Sequence, residues 1–308
     1  MSFSKIKIGL IQFKAENSPA HNLLKAVHLV RQAGKRGAQI ICLPELFKSH
    51  YFPQRKSQKH FGWAESIPGP TSKLFASLAC ELKTVLIVPI FEQAEKNHYY
   101  NSLIVINANG AILGKYRKTH LPNDPGFYEQ YYFDKGNLGF EVFHTTYGTI
   151  GALICWDQWF PEAARALAVS GAQIIFYPTA IGWHQNQNAK ERQKEKTAWE
   201  IIQRSHAISN GVFVASVNRV GREEKLNFWG NSFVTGLFGE MLAQASQTKE
   251  EILMATCKLS QIKQIRKVWP FLKERRTDAY YVIARRRSEK GRSNPRTRLL
   301  RRPSDSSQ

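Results

Sequence analysis

Two short turns, Asn109-Gly110 and Tyr147-Gly148, constrain the fold of this chain more than any other feature. Each stands between two runs that read as strands: residues 101–106 and 111–116 around the first, 141–145 and 149–154 around the second. Strands joined by so tight a turn are antiparallel, and Asn-Gly is the strongest short hairpin signal. Elsewhere apolar runs (residues 6–13, 39–43, 85–91, 173–177, 212–217, 231–235 and 252–258) alternate with helical stripes. That alternation predicts an α/β protein with parallel neighbours. The hairpins exclude a purely parallel, doubly wound sheet. Two mixed sheets with helices outside satisfy both observations.

Helix punctuation supports this reading. Ser18-Pro19 caps a helix whose face carries Leu23, Val27 and Val30, with Pro at the first helical position. Thr71, after Pro68-Gly69-Pro70, is expected to cap a helix through Leu82 with Leu74, Leu78 and Leu82 as its apolar stripe. A helix starts at Pro161 and ends near Gly171. Residues 183–196 read as a polar loop leading into a helix over 197–210, stopped by Gly211.

No apolar run is long enough to span a bilayer, and no charged-then-apolar leader opens the chain. The four cysteines (Cys42, Cys80, Cys155, Cys257) are widely spaced without a CxxC pair. Neither a disulfide framework nor a zinc site is expected, and the cytoplasm is the expected compartment. Of the +20 formal charge, +7 falls on residues 285–308, which carry nine basic and two acidic side chains. The reading is one folded domain over 1–284 with a basic, disordered tail over 285–308. Nucleic-acid contact by that tail is the less favoured reading, because no aromatic side chain there can stack on a base.

Three places carry chemistry. The run 149–155 closes on Cys155, and Pro161 with Glu162 can open a helix just beyond. A thiol at such a turn lies beside free backbone N–H groups that can hold an oxyanion, although a cysteine on a buried run is equally a core residue. Glu45 follows Pro44 at the end of a buried strand, either solvated or turned into a site. Charge rises at Tyr116-Arg117-Lys118-Thr119-His120, where Lys118 reads as surface charge or as a catalytic cation. The aromatic loop over 121–129 that follows is too long for a plain connection.

Together, Ile41-Cys42-Leu43-Pro44-Glu45, Tyr116-Arg117-Lys118-Thr119-His120 and Ile154-Cys155-Trp156-Asp157 resemble the nitrilase superfamily of carbon–nitrogen hydrolases. The similarity runs in register from about residue 6 to residue 282. It implies a four-layer αββα sandwich of two mixed β-sheets flanked by helices. It implies Glu45, Lys118 and Cys155 as base, cation and nucleophile, with Glu129 bracing Lys118. It also implies no cofactor, no metal, and a homodimer or higher homo-oligomer. The stretches at 155–165, 177–182, 118–122 and 228–233 resemble the branch that cleaves N-carbamoylputrescine. Other amidases of the superfamily, acting on an ω-amide or another ureide, are the runner-up. A nucleic-acid-binding protein on an inactive scaffold is the reading from another class. For an ammonium-bearing tail, Tyr51, Asp124 and Trp156 are the candidate substrate-binding residues. Asn123-Asp124 departs from the Asp-Gly usual in that branch before Pro-Gly.

Overall fold

The computed structural model describes residues 4–280. β1 (Ile6–Gln12) is almost wholly buried and leads into α1 (Pro19–Lys35). Ser18 caps that helix, its side chain accepting from the His21 N–H, and Val27 and Val30 are buried as predicted. β2 (Ile40–Cys42) is followed by α2 (Pro70–Leu82). Here the reading needs two corrections. Pro70 takes the first helical position, so Gly69 is the cap and Thr71 lies inside the helix. The Gly69 N–H is satisfied by Ser72 Oγ at 2.7 Å, while Thr71 bonds Glu65. The buried face is Thr71, Ser72, Phe75, Leu78 and Ala79, which leaves Leu74 exposed.

β3 (Val85–Glu95), β4 (His98–Ile106) and β5 (Ile112–Arg117) form a meander, with Asn109-Gly110 turning the second hairpin. A two-residue hairpin, β6 (Asn123–Asp124) with β7 (Phe127–Tyr128), and the single-turn α3 (Glu129–Tyr132) follow. Gly126, at φ +83°, makes that tight turn.

The second half repeats the plan. β8 (Val142–Thr145) and β9 (Gly148–Ala152) are the predicted hairpin, and α4 (Pro161–Val169) starts at Pro161. β10 (Ile174–Pro178), β11 (Gly182–His184), α5 (Ala189–Asn210) and β12 (Phe213–Val217) come next. α5 begins eight residues before the expected start. Asn188 caps it by accepting from the Glu191 N–H at 3.0 Å, and the Glu191 side chain reciprocates at the Asn188 N–H. β13 (Val220–Glu223), β14 (Leu226–Trp229), β15 (Phe233–Thr235), β16 (Met241–Gln244), β17 (Glu251–Cys257) and α6 (Ser260–Val268) complete the fold.

The strands build two six-stranded mixed sheets, in the orders β17-β1-β2-β3-β4-β5 and β16-β15-β12-β10-β9-β8. In each sheet three neighbours are parallel, β1-β2-β3 and β9-β10-β12, and the rest are antiparallel. β1 packs on β12 across the two sheets; α1 and α2 cover the first, α4 and α5 the second. The αββα sandwich is thus present. Its first core sets Val30, Phe75 and Leu78 against Ile11, Leu86 and Ile104. A second, under α5, gathers Trp183, Trp199, Trp229 and Phe233. An aromatic cluster around Tyr51, Phe52, Phe91 and Tyr132 supports the loops that bear the site.

The unit beginning at Phe271 consists, as far as Tyr280, of turns, with Arg276 paired to Asp278 at 2.6 Å. The tail predicted over 285–308 lies outside the described residues. Among the described residues, no helix is long and apolar enough to cross a membrane.

Candidate active site

The carboxyl ends of three strands, β2, β5 and β9, lead to the candidate residues. Glu45 lies three residues beyond β2, Lys118 one residue beyond β5, and Cys155 three residues beyond β9. The predicted strand running into the cysteine therefore stops at Ala152, and Cys155 instead opens a 3-10 turn over Cys155–Trp159. Cys155 sits at φ +44°, a left-handed conformation that costs a non-glycine residue about 1–3 kcal/mol. Asp157 holds the turn in that state. Its Oδ2 accepts from the Ile154 N–H at 3.0 Å and the Tyr116 O–H at 2.8 Å. Its Oδ1 accepts from the His120 N–H at 3.0 Å and lies 2.7 Å from His120 Nδ1. One buried carboxylate thus joins the nucleophile's turn to both flanks of Lys118. Gln158 is held from the other side by Trp199 and Gln203 of α5, at 2.8 and 2.7 Å.

Lys118 is the hub of the buried charges. Its Nζ lies 2.7 Å from Glu45 Oε1, and 2.8 and 2.7 Å from the two oxygens of Glu129. Burial alone would drive its ammonium to lose a proton. The carboxylates of Glu129 and Glu45 outweigh that and hold it protonated well above the ordinary lysine value. Burial pushes the Glu129 carboxyl up, to about 7; Lys118 opposes the rise, and Glu45 adds to it. Tyr51 Oη donates to Glu129 Oε1 at 2.6 Å, which favours the ionised carboxylate. Asn101 Nδ2 donates to Glu45 Oε1 at 2.7 Å and reaches Glu129 Oε2 at 3.4 Å.

These bonds occupy Glu45 Oε1 and leave Glu45 Oε2 buried with no partner among the described residues. A buried carboxylate oxygen without a donor is costly unless it has work to do. The Cys155 thiol is pushed well above its ordinary value by burial and by Glu45, so it rests protonated and needs a base. Its Sγ lies 3.9 Å from the Ala180 carbonyl oxygen.

A cavity of about 340 Å3 opens beside Cys155. Phe127, Trp156, Trp159 and Trp229 form its apolar wall; Asp124, Glu129, His184, Gln187 and Glu195 add polar groups. Asp124 and Trp156 are therefore on the wall where substrate contact was expected. Tyr51 is not. It is fully buried, with its hydroxyl spent on Glu129, so its place is as a brace. Asn101, Asp157 and Glu195 were missed. His120 stacks on Phe160 at 3.6 Å behind the turn, and buried His206 bonds the Gln158 carbonyl at 2.8 Å. Among the described residues, no group of three or more His, Cys, Asp or Glu side chains is arranged to hold a metal ion.

The family model for carbon–nitrogen hydrolases matches residues 7–267. The N-carbamoylputrescine amidase of Oryza sativa subsp. japonica is 40% identical over 289 residues, which cover 91% of this chain and 95% of the relative. The citrullinase of Francisella tularensis subsp. tularensis is 38% identical over 288 residues, covering 92% and 99%. The crystal structure of a carbon–nitrogen hydrolase from Helicobacter pylori G27 matches with a TM-score of 0.89 at 40% identity, covering 92% of this chain and 99% of that one.

Proposed function

The chain belongs to the carbon–nitrogen hydrolase family, and we propose that the bond this hydrolase cleaves is the ureido bond of N-carbamoylputrescine. Putrescine, ammonia and carbon dioxide are the products. The observation that carries the reaction is the asymmetry of Glu45: one oxygen fixed by Lys118 and Asn101, the other buried and free. Ureido carbonyls are poor electrophiles, so attack needs a thiolate made on demand and a held oxyanion. Glu45 Oε2 takes the thiol proton as Cys155 Sγ bonds to the carbonyl carbon. The oxyanion is held by the Lys118 ammonium and the Trp156 N–H. As the carbon–nitrogen bond breaks, Glu45 returns the proton to the departing nitrogen, leaving a carbamoyl thioester on Cys155. Glu45 then deprotonates water, whose oxygen replaces sulfur, and the thiol recovers its proton. The carbamate released falls apart to carbon dioxide and the remaining amine. Departure of either nitrogen first gives the same sum of products.

The amine-tailed substrate is supported by the 40% identity to N-carbamoylputrescine amidases and by a cavity wall that bears Asp124 and Glu195 but, among the described residues, no lysine or arginine. A second reading is an ω-ureido amino acid. The citrullinase relative favours it, as do the indole N–H groups of Trp159 and Trp229, buried beside the cavity without acceptors among the described residues. Ammonia release from N-carbamoylputrescine, citrulline, 3-ureidopropionate and glutaramate decides between them. The expected result is highest kcat/KM for N-carbamoylputrescine, abolished by Cys155→Ser. Preference for citrulline would establish the second reading, and turnover confined to glutaramate would overturn both.

A further inference from the structure

We propose that Glu195, on the second turn of α5, is the specificity-determining residue that receives the ammonium end of the substrate. This rests on the ureide-hydrolase reading above and adds the residue that reads the tail. Three observations carry it. Glu195 lines the same cavity as Cys155, and so does Ala198 one turn further along the helix. An extended chain of six bonds from the attacked carbon to the ammonium nitrogen spans roughly 7 Å, so the ammonium must be met by a lining residue away from the attacked carbon. The carboxylate is also held in place. Gln187 Nε2 donates to Glu195 Oε1, and Gln187 Oε1 accepts from the His184 N–H at 2.8 Å. His184 ends β11, the strand two residues beyond Ala180, whose carbonyl meets the nucleophile. Glu195 is thus tied by a short chain of bonds to the floor of the catalytic centre, with Oε2 left for a ligand. A pre-positioned partner loses less freedom on binding than a loose one.

The other acidic candidate lacks that support. Both carboxylates are exposed, but the Asp124 side chain, on β6, makes no hydrogen bond or ion pair among the described residues. The sign of the wall also matters. A tail ending only in a carboxylate would face Glu195 and Asp124 with no lysine or arginine among the described residues of the wall to offset them. The indole N–H groups are neutral donors and do not by themselves require an anion.

The test compares kcat/KM for N-carbamoylputrescine with that for N-pentylurea, which keeps the ureide and chain length but ends in a methyl group. Wild type, Glu195→Gln and Asp124→Asn are measured. Glu195→Gln is expected to lower the ratio of the two roughly tenfold, through KM, because its partner is partly solvated. An unchanged ratio, or a fall with Asp124→Asn alone, would overturn the assignment. Failure of the substrate reading is seen separately, as absence of N-carbamoylputrescine turnover by the wild type. In that event protection of Cys155 from iodoacetamide by putrescine tests Glu195 without turnover. A roughly tenfold higher putrescine requirement in Glu195→Gln sustains the proposal; equal protection defeats it.

Discussion

Tyr51→Phe isolates one bond at the centre of the charge network. The change removes only the hydroxyl, which donates to Glu129 Oε1 at 2.6 Å from a fully buried ring. A hydrogen bond to a charged group contributes about 1.5–3 kcal/mol, and 1.36 kcal/mol corresponds to one pH unit. The bond favours ionised Glu129, so its loss raises that carboxyl by roughly one to two pH units from its position near 7. Ionised Glu129 is the form that braces Lys118, and activity is therefore lost as pH falls through this value. The variant's acidic limb should move to higher pH by that amount. At pH 7 the wild type would be about half active and the variant roughly 5- to 50-fold slower, the two converging at alkaline pH. The assay is kcat/KM against pH. A uniform fall at every pH, or a rise in KM with the limb unmoved, would refute the bracing role and return Tyr51 to substrate contact.

Other variants test neighbouring links. Because the folded value of Glu129 lies above its ordinary 4.5, the native state binds the extra proton, and wild-type stability declines from about pH 4.5 to about 7. This group alone contributes on the order of 3 kcal/mol to that decline, and Glu129→Gln should flatten it in Tm measured across the window. Lys118→Met leaves Glu45 and Glu129 buried without their cation. A loss of about 3–5 kcal/mol in denaturant unfolding is expected, with no turnover. Asp157→Ala orphans the Ile154 N–H and the His120 N–H, each costing about 1–3 kcal/mol, and frees Cys155 to leave its left-handed conformation. Both Tm and kcat should fall. A variant that kept kcat would show that other contacts hold the turn.

What could be read from the chain depended on how local its cause was. Hairpins at Asn109-Gly110 and Tyr147-Gly148, and helices opening at Pro19 and Pro161, follow from neighbours in sequence, and all four are in the structure. The start of α5 was hidden because six of its first eight residues are charged and carry no apolar stripe before Trp199, although Asn188 and Glu191 spell a reciprocal cap. β13 and β14 were missed because the four charged residues 222–225 carry no apolar alternation, yet the two strands form a hairpin whose Glu223 is buried against Arg219. Glu45, Lys118, Cys155 and Glu129 were legible through a pattern shared with a family, not through any local rule. Tyr51 was assigned to the wrong task for the same reason that Asn101 and Asp157 were overlooked: their partners are 28 to 78 residues away, and only folding brings them together.

The pairing of β17 with β1 has a consequence for how the protein is made. The edge of β1 is closed through seven partners, from Ile6 with Cys257 to Gln12 with Glu251. While the chain is still on the ribosome, the first sheet has emerged with one side unclosed, and it stays so until nearly all of the second half has followed. An open strand edge of this kind recruits other strands, including those of nascent copies nearby. A message cut short before residue 251 would thus yield a first half that is sticky rather than merely inactive. Chaperone demand and loss to aggregation should track how long translation pauses between the two halves.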